Sequence, residues 1–195
     1  MASTISAGTT AGTAIAIAGD TTGNLAFTTQ AGTYTQTLPN ATGTVMVSGN
    51  MPTFRARPSS STQSISNNTW TKVTFGTEDW DTNNNFASST FTPTVAGYYL
   101  INGSAYLTNG SGNITQARCN IYKNGSTEVY GQFSQFNATG SNNTDNIATI
   151  SGLVYCNGST DYIELYAYIG GSSVSPQIAG STNYTMFSGI LIRAA

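Results

Sequence analysis

The chain contains no histidine, and only 7% of its 195 residues carry a charge, against roughly 25% in an ordinary soluble domain. Without histidine, the commonest general base and metal ligand is gone. The six basic residues (Arg55, Arg57, Lys72, Arg118, Lys123 and Arg193) are scattered, and the net charge is −2. No basic patch exists to neutralise a phosphate backbone, so nucleic acid is not an expected partner. Cysteine is almost absent too. Cys119 and Cys156 lie far apart in the strand-like runs ARCNIY and LVYCNG; they read as small buried hydrophobes, not as a disulfide, and nothing around them would activate a thiolate. No apolar run approaches a membrane span. The opening MASTISAGTTAGTAIAIAGD has no positive n-region, and AIAIA is too short for a signal-peptide core, so a protein made in the cytoplasm without a signal peptide is expected. Helical periodicity is missing as well. With no helix there is no phosphate-binding glycine loop at a helix start, and no cofactor is expected.

What fills the space is Thr, Ser, Asn and Gly, with 38% hydrophobic and 11% aromatic residues, enough for a core and unlike a disordered chain. Two regions differ in grammar. Residues 1–50 are poor in large side chains, and Phe27 and Tyr34 are their only rings. Short alternating pieces (TAIAI, NLAFT, TYTQTL, TVMVS) are separated by Gly, Asn and Pro, as strands are. So little apolar material cannot close a core within one chain, which predicts a segment held by other chains. Residues 51–195 read as the folded domain. Strand candidates recur about every ten residues: FRA, WTKVTF, STFTP, GYYLINGSAYL, QARCNIYKNG, EVYGQF, NIATISGLVYC, DYIELYAYIG and YTMFSGILIR. Turn signals such as Lys123-Asn124-Gly125 separate them. The expected class is all-β: an antiparallel sandwich, barrel or jelly roll.

Two places invite a functional reading. The stretch EDWDTNNNF, residues 78–86, alternates carboxylates with amides. As a calcium loop it puts Asp79, Asp81 and Asn83 in the first ligand places, but Asn84 stands where glycine is needed and Thr90 where the closing glutamate belongs. As a glycosidase pair, Asp79 and Asp81 lack a third polar partner. An Asx-rich turn remains, and neither metal binding nor catalysis is expected. The second place is DYIELYAYIG. Alternation sends Ile163, Leu165, Ala167 and Ile169 to one face and Tyr162, Glu164, Tyr166 and Tyr168 to the other. Tyr99, in the neighbouring GYYLINGSAYL, adds to the aromatic surface. Tyrosine is enriched at subunit contacts, so Tyr99, Tyr162, Tyr166 and Tyr168 read as an interface. A carbohydrate-stacking surface uses the same residues, and sequence does not separate the two.

The run FGTEDWDTNNNFASSTFTPTVAGYYL resembles the signature of the globular head of complement subcomponent q, a trimeric jelly roll of the tumour-necrosis-factor type. The pattern's places are taken by Phe75, Asp81, Phe86, Phe91, Gly97 and Tyr99. The gap from Phe86 to Phe91 is two residues shorter than in the strict pattern, and Leu100-Ile101 replaces its aromatic continuation. ISGLVYCNGSTDYIELYAY is similar to that family's penultimate hairpin, and YTMFSGILI, with Phe187 and Gly189, to its closing strand. In the N-terminal region, TLPNATGTVMVSGN resembles the Leu-Pro-x-Ala-x-Gly-Thr-Val modules of bacteriophage fibre and other virion proteins, through Leu38, Pro39, Val45 and Val47. Together the resemblances imply a non-enzymatic virion protein: a homotrimeric jelly-roll knob (residues 51–195) decorating the capsid as a head fibre, attached by residues 1–50 to a capsid, cement or tail protein. The alternative they imply is the receptor-binding tip of a tail fibre, with host-surface carbohydrate as its ligand. Membrane insertion is not expected in either case.

Overall fold

The computed structural model describes residues 26–28, 35–37, 51–135, 144–180 and 183–195. The chain divides into two compact units, residues 1–45 and 46–195. In the first, strands β1 (Ala26–Thr28) and β2 (Thr35–Thr37) pair antiparallel, Ala26 opposite Thr37.

The second unit is built of strands alone among the described residues. In chain order these are β3 (Thr53–Arg57), β4 (Gln63–Ser64), β5 (Thr71–Lys72), β6 (Thr77–Asp81), β7 (Phe86–Ala87), β8 (Thr90–Phe91), β9 (Gly97–Asn109), β10 (Asn113–Lys123), β11 (Thr127–Gln135), β12 (Asp145–Cys156), β13 (Ile163–Ser172), β14 (Pro176–Ile178) and β15 (Met186–Ala194). Every pairing is antiparallel. One sheet has six strands in the order β11-β10-β13-β8-β7, with β5 also on β13. The other has seven. Its centre is the long β9, flanked by β12 on one side and by β15 and then β14 on the other; β3 and β6 extend it beyond β15, and β4 beyond β14. This is an antiparallel jelly-roll sandwich, the class that the turn spacing and the alternation predict.

The core lies where the inner faces of the sheets meet. β9 contributes Tyr99, Ile101, Ala105 and Leu107, and β13 contributes Ile163, Leu165, Ala167 and Ile169, all fully buried. Phe54 of β3 is the hinge of the packing. Its ring stacks on Phe91 at 4.3 Å and on Phe86 at 5.0 Å, both from the six-stranded sheet, and meets Phe187 of its own sheet edge-on at 5.1 Å. Such ring pairs add to the burial of their area. Gly189 must be glycine for this to happen, because a Cβ there would stand 2.7 Å from the Phe54 ring and 2.8 Å from Ile101. Gly97 is similarly confined, by the backbone carbonyl of Arg193. Cys119 and Cys156 are free thiols in this interior. Burial raises both, Cys156 to about 12.

Where the sheets' edges come together, Tyr130 of β11 lies across Gly152 of β12 and its hydroxyl donates to the Leu153 carbonyl at 2.8 Å. Nearby, the Lys123 ammonium donates to the Tyr155 carbonyl at 2.8 Å. It also pairs with Asp161 at 2.8 Å.

Candidate functional site

The acidic stretch is half strand and half turn. Thr77–Asp81 is β6, pairing with β3, so the sequence expectation of a turn holds only for the residues after Asp81. Asp79 accepts from Arg57 Nε at 2.6 Å, with Arg55 at 3.5 Å. Both its guanidinium partners come from β3, which the spacing along the chain could not reveal. Asp81 fastens the turn: its carboxylate accepts from the backbone N–H of Phe86 at 2.6 Å and of Asn83 at 3.4 Å. Asn84 takes the left-handed conformation, which amides tolerate better than most side chains. Asp81 thereby delivers Phe86 to the core beside Phe54, and Phe75 and Phe187 complete the ring cluster. Among the described residues no three of His, Cys, Asp and Glu come together as a metal site would need.

Tyr99 is not a surface residue. It is fully buried, its hydroxyl donating to the Val95 carbonyl at 2.7 Å and its ring meeting Phe91 edge-on at 5.4 Å. Loss of solvent holds its phenol well above the usual range. In the doublet Tyr98-Tyr99 the exposed ring is Tyr98. Alternation in GYYLING fits either parity, since both of its faces carry apolar groups.

Tyr166 and Tyr168 do stand on the outer face of the six-stranded sheet, but their rings are used within the chain. Tyr166 packs on Tyr122 at 4.3 Å, and Trp70 lies 5.3 Å from Tyr168 and 6.2 Å from Tyr122. The Arg118 guanidinium covers Tyr168 at 4.8 Å, and the Tyr168 hydroxyl donates to Asn68 at 3.0 Å. Desolvation, then the nearby Glu164 carboxylate, raises the Tyr166 phenol. Glu164 itself is buried and takes the Lys72 ammonium at 2.6 Å. Tyr162, just before β13, donates its N–H to Asn124 at the β10–β11 hairpin. This face staples residues 67–72 to the sheet. Leu38, Pro39, Val45 and Val47 lie outside the described residues.

The face with unused apolar surface is the outer side of the seven-stranded sheet. The register across β12, β9 and β15 lays its side chains in rows. Tyr155 and Tyr98 form the first, their rings 5.4 Å apart, with Arg193 opposite Tyr98. Leu153, Leu100 and Ile190 form the second, Ser151, Asn102 and Ser188 the third, and Thr149, Ser104 and Met186 the fourth. Ile147 and Tyr106 form the fifth, with Tyr184 edge-on to Tyr106 at 5.6 Å. Ile147, Leu153, Tyr155, Tyr98, Ile190 and Ile192 are 39–55% exposed. On these strands charge stands only at the ends of the face, Asp145 opposite Thr108 and Arg193 opposite Tyr98. Between the apolar rows lies a depression of about 360 Å³, lined by Asn102, Ser104, Thr149, Ser151, Met186 and Ser188. Sequence reading missed this face, although ISGLVYC and GILIR carry its signal in their second apolar register.

No protein-family model matches the chain, and no curated protein matches it. Solved structures do. It is similar to Eiger TNF from S. frugiperda at a TM-score of 0.58 and 8% identity, over 75% of this chain and 95% of that one. Murine APRIL superposes at 0.53 and 10% identity, over 73% and 99%, and the globular domain of zebrafish complement 1qA at 0.50 and 16%, over 74% and 99%. The shared feature is the fold: the second unit is a jelly roll of the kind found in tumour-necrosis-factor-like proteins and complement globular heads.

Proposed function

We propose that the protein is a non-enzymatic structural component of a bacteriophage particle, a homotrimeric jelly-roll knob that decorates the capsid and is anchored by its N-terminal segment. The observation that carries the assembly is the outer face of the seven-stranded sheet. Monomers seldom leave so many large apolar side chains contiguous and exposed, and aromatic and aliphatic residues with the charge pushed to the margin make the composition of an interface core. Across β12, β9 and β15 the face is free of charge between its ends, while Arg55 of β3, opposite Ser188, and its partner Asp79 bound its far side. The outer face of the other sheet offers no such surface, its rings being engaged with Trp70 and Arg118. The virion assignment rests on the likeness of Leu38-Pro39 and Val45 to virion modules, and on the shortage of apolar material in residues 1–50.

Sedimentation of the full chain at micromolar concentration tests the assembly. A trimer is expected, and Leu153→Asp or Ile190→Asp splits it, since an unpaired buried charge costs several kcal/mol as a rough figure. Tyr168→Asp leaves the stoichiometry unchanged. A monomeric wild type, or dissociation by the Tyr168 variant alone, would overturn the proposed face. For the anchor, Leu38→Asp with Val45→Asp is expected to leave the trimer intact but abolish its binding to capsids lacking the protein; undiminished binding refutes the attachment.

A further inference from the structure

We propose that the outer face of the six-stranded sheet carries a binding site for a neutral carbohydrate, centred on the Asn120 carboxamide. Of the eight polar or charged residues buried among the described ones, Asn120 alone has a side chain in no hydrogen bond. It is 2% exposed, yet neither amide atom is sealed from solvent. A buried polar group without a partner opposes folding, and its retention calls for a reason. Alternation along β10 places the amide on the outer face. Cys119 and Ile121, on either side of it, belong to the core, and its Cα partner across β13 is Tyr166. Arg118 and Tyr122 are therefore its neighbours on that face.

The rings beside the amide form a continuous run, Tyr166 on Tyr122 at 4.3 Å and Trp70 between Tyr122 at 6.2 Å and Tyr168 at 5.3 Å. Aromatic walls with a few placed polar groups are the usual lining of a small-ligand site. The charged groups here are already engaged, Lys72 with Glu164 at 2.6 Å, and Arg118 with the Tyr168 ring and with Gln116 at 2.8 Å. The open polar groups are uncharged: the Asn120 amide, the Tyr166 hydroxyl and the Trp70 indole N–H, none of them hydrogen-bonded among the described residues. A carboxamide sets donors beside an acceptor, which matches two adjacent hydroxyls of a sugar, and the C–H face of a pyranose is apolar enough to lie on a ring. An apolar ligand would leave the amide unsatisfied, and an anion would find both cations of the face occupied. The site is on the sheet that the proposed assembly leaves uncovered, so it does not depend on that assembly.

The test uses the full chain carrying Trp80→Phe, which leaves Trp70 as its one tryptophan. It is titrated with neutral linear oligosaccharides of glucose, galactose, mannose and N-acetylglucosamine, and Trp70 emission and ligand-observed saturation-transfer NMR are followed. At least one of the four is expected to bind in the millimolar range or tighter, with an affinity that added salt does not change. Asn120→Leu is expected to weaken that binding at least about tenfold while melting no lower than its parent, because it removes an amide that the chain leaves unsatisfied. Should Asn120→Leu melt lower or fail to fold, Tyr166→Phe, which removes one hydroxyl, decides by the same readout, with a several-fold loss expected. Binding of none of the four, or binding undiminished in the deciding variant, overturns the site. Binding that collapses as salt is raised overturns the neutral class of ligand.

Discussion

Replacing Phe54 by alanine probes the contact on which the two sheets depend. The ring is 1% exposed and touches three others, Phe86 and Phe91 across the sandwich and Phe187 beside it. Removing a buried phenylalanine costs about 3–5 kcal/mol through lost transfer energy and the cavity left behind. The site belongs at the upper end, because neighbouring strands hold the surrounding rings apart and each lost ring pair removes about 0.5–1.5 kcal/mol beyond its area. With a urea dependence of about 2 kcal/mol per molar for a domain of this size, the midpoint should fall by about 2 M. Unfolding is followed by far-UV circular dichroism at one fixed protein concentration, since assembly makes apparent stability concentration-dependent. Phe54→Leu should lose distinctly less, and the exposed control Glu78→Ala should stay within about 0.5 kcal/mol. A shift below about 0.5 M for Phe54→Ala, roughly 1 kcal/mol at that slope, would refute the idea that Phe54 ties the sheets together.

Asp161 accepts from Lys123, Asn124 and the Asn157 backbone, and the Lys123 contact foremost holds its carboxyl below the usual range. Its contribution is therefore complete above the unfolded carboxyl value of about 4, and is lost as pH falls below that. Asp161→Asn should flatten the loss of stability below about pH 4; an unchanged acid limb in urea titrations would count against this cluster. Cys119 and Cys156, both buried and held above the usual thiol range, should resist a thiol-specific reagent at pH 8 in the folded protein and react fully in denaturant. Rapid labelling of either thiol without denaturant would show that the interior opens there.

How far the sequence carried depended on whether each strand had one apolar face or two. DYIELYAYIG alternates cleanly, and its inward set, Ile163, Leu165, Ala167 and Ile169, is fully buried. GYYLINGSAYL and NIATISGLVYC do not, because Leu100, Ile147, Leu153 and Tyr155 are apolar on the outward side as well. A period of two cannot be assigned a direction when both halves are hydrophobic, so Tyr99 went to the wrong side and the apolar face went unnoticed. The tyrosines of β13 lie on the face that alternation gives them, but their partners within the chain were not legible. Their exposure was decided by Trp70 and Arg118, which reach them only through the fold. WTKVTF reads as one strand, yet only Thr71 and Lys72 pair as one. Beyond them the Val73 N–H still reaches the Leu165 carbonyl, but the Phe75 N–H is taken by the Ser89 hydroxyl. Asp81 was placed in the right company by its resemblance, but its bond to the Phe86 backbone is geometry that no spacing states.

The meeting of β11 and β12 bears on solubility. β12 pairs on one side only among the described residues, and a bare strand edge is a template for uncontrolled pairing with other chains. Proteins commonly guard such edges with charge, and this chain has little to spend there. Instead, two side chains occupy the outward carbonyls of β12, the Tyr130 hydroxyl at Leu153 and the Lys123 ammonium at Tyr155. An incoming strand would have to displace both before it could form a ladder. In the capsid decoration proposed above, many copies would crowd one surface and raise the local concentration of every exposed edge, and this capping is expected to let neighbours sit close without fusing into aggregates.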